Sequence, residues 1–268
     1  MAEPGGMKAF RVEFNLREMF PADDPLSIPL LRLMAATNDA RYLLGTIIAA
    51  NANVERGTEF DRMIRAGEFC YLLRMLGAHL YEAGIAFREL HDKCRKSIEA
   101  LLAPDDRSQA RSALKAVEDI FNDRSENGFD RLVLQPIRNL WAFHYKAERF
   151  REALNGTRDD ETELIACENH TLGRYTCVDD LVSGYSLDRI CDSFGGVEVV
   201  VQRLRGLITQ LCIVVDTIVA AAFEEKAKNG SRMDTTDGTV TIPPAMTDAR
   251  TQATLDETQR RREGENGT

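Results

Sequence analysis

The 268-residue chain has no glycine-rich phosphate loop, no internal repeat and very little alternation of apolar with polar residues. The first absence excludes the P-loop nucleotide hydrolases, whose phosphate cradle needs those glycines. The second excludes solenoids and propellers, and the third leaves little from which to build a sheet. No apolar run occupies Met1 to Phe10, so no secretory signal is expected. Serine, histidine and aspartate form no convincing hydrolase triad.

Long apolar runs are equally scarce. The best membrane candidate, Leu207 to Phe223, is 17 residues long and carries Gln210 and Asp216. An acid at mid-span costs about 2.5–3.5 kcal/mol, so a buried helix is expected there and no membrane role. The six cysteines (Cys70, Cys94, Cys167, Cys177, Cys191 and Cys212) are scattered without a secretory context, which implies reduced thiols and a cytoplasmic protein. Cys167, His170, Cys177 and Cys191 are zinc-ligand types, but they lack a second close pair. His91 and Cys94 share a helix face with no further ligand pair, and Asp179-Asp180 reads as a helix cap. No metal and no cofactor is expected.

Charge is present but uneven. Residues 155–268 hold 12 basic and 20 acidic side chains, a net of −8, against 22 and 23, a net of −1, in residues 1–154. Within the near-neutral part, Arg131, Arg138, Lys146, Arg149 and Arg151 are interrupted by one acid, Glu148. An acidic whole with one basic stretch argues against broad duplex binding. It leaves room for a small phosphate site, with Arg131, Lys146 and Arg151 as the substrate-binding candidates.

The dominant pattern is helical, and the expected class is an all-α, up-and-down bundle with an additional C-terminal helical segment. Residues 1–25 read as an arm, 26–154 as the bundle, 155–228 as a helical extension and 229–268 as a disordered tail rich in Thr, Asp, Gly and Arg. Ser27 is placed to cap a helix running to about Asn53. Thr58-Glu-Phe-Asp61 resembles a capping box before a long helix ending near Leu102, with Gly77 or Gly84 as its expected bend. Pro104-Asp-Asp opens a shorter helix through Phe121. Asn127-Gly128 is a turn, and Pro136 is expected at the first position of the next helix, where its missing N–H is harmless. Val197 to Glu225 is one more long helix.

Chemistry concentrates in Ile137-Arg-Asn-Leu-Trp-Ala-Phe-His-Tyr145. With Pro136 opening the helix, Arg138 and Asn139 fall in the first turn, where free N–H groups and the helix dipole favour an anion. Arg138 supplies a forked donor for phosphate oxygens, and His144 titrates near neutrality. The segment resembles the Arg-x(4–6)-His signature of the HEPN superfamily (higher eukaryotes and prokaryotes nucleotide-binding), with the polar Asn139 directly after the arginine. The resemblance covers about half the chain, roughly Leu26 to Leu154. It implies a homodimer in which two motifs meet at a composite site, and metal-independent cleavage of RNA to a 2′,3′-cyclic phosphate and a 5′-OH. Arg138, Asn139 and His144 are the implied catalytic residues. It also implies a toxin or antiviral effector held by a protein antitoxin or another regulatory partner.

A plainer reading stands beside this one. His144 falls within the apolar arc of its helix and Glu148 lies four residues on, so a satisfied interior histidine accounts for the same residues. Trp141, Phe143 and Tyr145 read as core or dimer seam. A second match, Arg74 to His79, lies mid-way along an apolar helix without a following asparagine and reads as accidental. The alternative function is a catalytically inactive helical module that binds or assembles within a larger complex.

Overall fold

The computed structural model describes residues 6–51, 59–142, 151–152, 155, 187–228 and 234–241. The fold is all-α. Its elements are β1 (Gly6–Glu13), α1 (Leu16–Met19), α2 (Ser27–Asn51), α3 (Glu59–Leu102), α4 (Ser108–Phe121), α5 (residues 129–142), α6 (Asp188–Asp192), α7 (Val197–Lys228) and β2 (Asp234–Thr241).

Ion pairs between helices fix their directions. Arg32 of α2 meets Glu89 of α3, and Asp39 meets His79, so α2 and α3 are antiparallel. Along α3, Arg111 of α4 reaches the carbonyl of Leu102, His91 meets Glu118, and a Cβ on Gly84 would touch Phe121. Further along, Arg88 meets Asp130 and Glu82 meets Arg138. α4 and α5 therefore run in one sense along the 44-residue α3. The Asn127-Gly128 turn joins them without reversing the chain. α7 completes the bundle: Arg41 of α2 bonds Asp216, and Arg107 before α4 bonds Glu224.

The core is the shared apolar side of these helices, with Leu33, Leu76, Leu80, Phe87, Val117, Leu134, Leu207 and Leu211 at most 1% exposed. α7 buries Val200, Leu204, Leu207, Leu211, Val214 and Ile218 and packs on α2, α3 and α4 in the same core cluster. By length and composition α7 is apolar enough to cross a bilayer, and one face of it is core.

Several local expectations are corrected. α3 bends at Cys94 (φ −128°, ψ 17°) and not at its glycines. Gly77 and Gly84 instead admit their neighbours: an added Cβ would lie 2.9 Å from Ile137 Cγ2 and 2.8 Å from Phe121 Cδ1. Asp24, not Ser27, organises the entry to α2, accepting the Leu26 N–H on its side chain at 3.0 Å and the Ser27 N–H on its carbonyl at 3.0 Å. The proposed capping residue Thr58 lies outside the described residues. The tail is not wholly unstructured either. Residues 234–241 pair antiparallel with 6–13, with Gly6 opposite Thr241 and Glu13 opposite Asp234. Backbone pairing with a distant strand needs no hydrophobic period in the tail itself.

The most consequential correction concerns Pro136. Helix α5 starts at Phe129, so Pro136 sits inside it. The flanking segments Asp130–Leu134 and Ile137–Ala142 are π-helical. The Gln135 N–H donates to the Asp130 carbonyl, five residues back. Proline normally breaks a helix by forfeiting an i→i−4 bond. Here that ladder has already shifted to the wider register.

Candidate functional site

Arg138 and Asn139 project from the second π-helical segment of α5, next to the first half of α3. Because the helix begins nine residues before Arg138, neither side chain lies in a first turn. The anion-binding helix terminus expected from Pro136 does not exist here. What places Arg138 is the docking of α5 on α3. Buried Ile137 sits against Gly77, and Asp130 at the helix start is tied to Arg88 at 3.0 Å.

The guanidinium is held on three sides. Its Nε donates to Glu82 Oε1 at 3.0 Å, and one terminal nitrogen donates to Asn139 Oδ1 at 3.1 Å. Its Cζ lies 5.9 Å from the centre of the Tyr81 ring, within cation–π range. The Arg138 and Glu82 side chains are 35% and 42% exposed, so this is a surface ion pair open to solvent. Asn139 is half-buried, and its carbonyl oxygen is turned toward Arg138. An arginine carries five N–H donors. With two engaged, three remain without a partner among the described residues.

The remaining predicted residues separate from this cluster. Arg131, on the same helix, is exposed. Arg151 is exposed as well, and the intervening residues 143–150 lie outside the described residues. His144 and Lys146 fall in that segment, with Phe143, Tyr145, Glu148 and Arg149, and the Trp141 side chain is outside as well. The structure therefore brings Arg138 and Asn139 together and adds Glu82 and Tyr81. Sequence reasoning missed both additions, because nothing in the spacing of α3 and α5 says which turns will meet.

The other candidates have structural roles. Arg74 is 7% exposed with its guanidinium 5.8 Å from the Tyr71 ring, and His79 faces Asp39 at 3.3 Å. His91 stacks on Phe87 and lies 2.8 Å from Glu118, while Cys94 is buried and its thiol is pushed up by burial. Cys70, Cys94, Cys191 and Cys212 carry no disulfide. No group of three or more metal-ligand residues occurs among the described residues; Cys167, His170, Cys177 and Asp179-Asp180 are not among them.

A groove of about 640 Å³ lies at the far end of the bundle, lined among others by Leu26, Leu30, Leu101, Arg107 and Lys226. It contains none of the sequence-predicted site residues. Arg107 in its wall already serves the Leu101 carbonyl and Glu224. No family model, curated protein or solved structure matches the chain.

Proposed function

We propose that the chain is a HEPN-like, metal-independent endoribonuclease that works as a homodimer. The observation that carries this reading is the Arg138 guanidinium, fixed at the surface by Glu82, Asn139 and Tyr81 with three N–H donors that have no partner among the described residues. Its setting adds support, since π-helical segments occur frequently at functional sites.

In this reading Arg138 and Asn139 hold the scissile phosphate, with Arg131, Lys146 and Arg151 along the path of the strand. The ribose 2′-OH attacks the adjacent phosphorus and loses its proton to a base. The P–O5′ bond breaks, and the leaving oxygen takes up a proton. The products are a 2′,3′-cyclic phosphate and a 5′-OH. The nucleophile belongs to the substrate, so the atoms balance without a metal or a cofactor. His144 is the proton carrier, and Arg138 stabilises the extra negative charge on the phosphorane-like state. A toxin or antiviral effector in the cytoplasm, restrained by an antitoxin-like partner, is the cellular role that fits such an activity.

A second reading is favoured by one feature of the same cluster. Arg138 is already paired within its own protomer, which suits an inactive binding or assembly module. The two separate on cleavage of single-stranded RNA by the purified chain. The nuclease reading expects cyclic-phosphate ends, lost in His144→Ala and Arg138→Ala while the melting temperature barely moves. Intact RNA, or cleavage that survives both substitutions, rejects it.

A further inference from the structure

The geometry points to Glu82 as the positioning residue of the Arg138 site: its carboxylate holds the guanidinium by the Nε edge and turns the terminal nitrogens outward to an anion. The inference rests on Arg138 being the phosphate-contacting residue, and it adds the group that orients it.

Three observations separate this from an ordinary surface ion pair. First, the pair does little to dock the two helices. α5 is already held by Ile137 against Gly77 and by Asp130 with Arg88, and pairs as exposed as 35% and 42% contribute little to stability. Second, the contact is made at Nε. A pair optimised for strength uses the bidentate fork, and Nε pairing leaves that fork largely free. Third, the other neighbours complete the same restraint. Asn139 Oδ1 takes one terminal N–H, and the Tyr81 ring lies close to Cζ. A long side chain with many rotamers is thereby reduced to one presentation before any ligand arrives, which lowers the ordering cost of binding.

Glu82 also cancels the charge of Arg138 locally. Anion capture at this point then depends on hydrogen-bond geometry more than on net charge, which makes opposite predictions for two substitutions. Glu82→Gln keeps an oxygen acceptor for Nε and removes a negative charge. Glu82→Ala removes both, and Glu82→Asp keeps the charge but is one methylene too short to reach.

The probe is a fluorescein-labelled single-stranded RNA with every 2′-OH methylated, which lacks the nucleophile, read by anisotropy with the full chain. Glu82→Ala and Glu82→Asp are expected to weaken binding about ten-fold, the equivalent of one charge-assisted hydrogen bond. Glu82→Gln should bind as tightly as wild type or more tightly. In an Arg138→Ala background, Glu82→Ala should have no further effect. The Arg138 Nε–H resonance, visible and slow to exchange in wild type and Glu82→Gln, should be lost in Glu82→Asp. Tighter binding by both Gln and Ala variants would make Glu82 a charge brake and overturn the proposal. Unchanged binding in Glu82→Ala and Glu82→Asp would overturn it too, as would full additivity with Arg138→Ala. Wild type that binds the probe without cutting unmodified RNA removes the nuclease reading and leaves the Glu82 comparison intact. Wild type that does not bind removes both.

Discussion

Ile137 of α5 lies so close to Gly77 of α3 that a Cβ on the glycine would be 2.9 Å from Ile137 Cγ2. The contact is next in sequence to Arg138, so it sets the height of the guanidinium against Glu82. Gly77→Ala gains helix propensity of about 1 kcal/mol but overpacks a buried β-branched side chain, which costs about 1–3 kcal/mol. The net expectation is a loss of roughly 1 kcal/mol with a weakened Arg138–Glu82 contact. Gly206→Ala is the control, because an added Cβ there meets nothing within 4 Å; it should stabilise by up to about 1 kcal/mol. Urea melts of both variants check the pair, and a stabilising Gly77→Ala would contradict the close approach.

Arg111 closes the end of α3. Its Nη1 is 2.7, 3.0 and 2.6 Å from the carbonyls of Leu102, Ala103 and Pro104. The Leu102 and Ala103 carbonyls lie at the end of α3, and the Pro104 carbonyl also takes the Arg107 N–H at 3.0 Å, so Arg111→Ala should cost about 1–2 kcal/mol. Faster amide exchange should appear in the turn before Pro104. Neutral stability in a denaturant melt would mean that water replaces the guanidinium without loss.

Asp130 brings a pH dependence of definite sign. Burial pushes its carboxyl above the ordinary aspartate value, against the opposing pull of Arg88. The folded state thus binds more protons than the unfolded state from about pH 4, the ordinary aspartate value, up to the raised one. Through that window this residue's contribution to stability falls as pH rises, and above it the full penalty for burying the charge remains. Asp130→Asn keeps an acceptor for Arg88 and should flatten this part of the profile. The test is the wild-type minus variant difference in melting temperature across the window. A difference that grows in the wild type's favour with rising pH would refute the assignment.

Arg131 is exposed. Arg131→Ala should therefore leave stability within about 0.5 kcal/mol. If it contacts one phosphate of a single strand, the slope of log affinity against log salt should fall by about 0.7. Titrations of the methylated RNA at several salt concentrations measure this directly. An unchanged slope would take Arg131 off the path of the strand.

The difference between legible and illegible features lies in the range of the forces. Apolar steps at three and four residues mark α2, α3, α4 and α7 because a helix repeats every 3.6 residues and each of these buries one face. Arg138 and Asn139 were legible as chemistry, because a guanidinium beside an amide is a donor cluster in any fold. The helix start was misplaced because proline's preference for a first turn is local, and the π-helical register around Pro136 overrides it. The strand at 234–241 was missed because its pairing partner is more than two hundred residues away in sequence.

By itself, the sequence determined the all-α class, the extent of the long helices and the basic character of the stretch from Arg131 to Arg151. Each follows from periodicity or composition, which neighbouring residues carry. Only the tertiary structure decided that α4 and α5 run in line along α3, and that Gly77 seats Ile137. It alone decided that Glu82 takes Arg138 by its Nε edge. These depend on which turns of separate helices meet, and that is set by side-chain volumes packing across an interface.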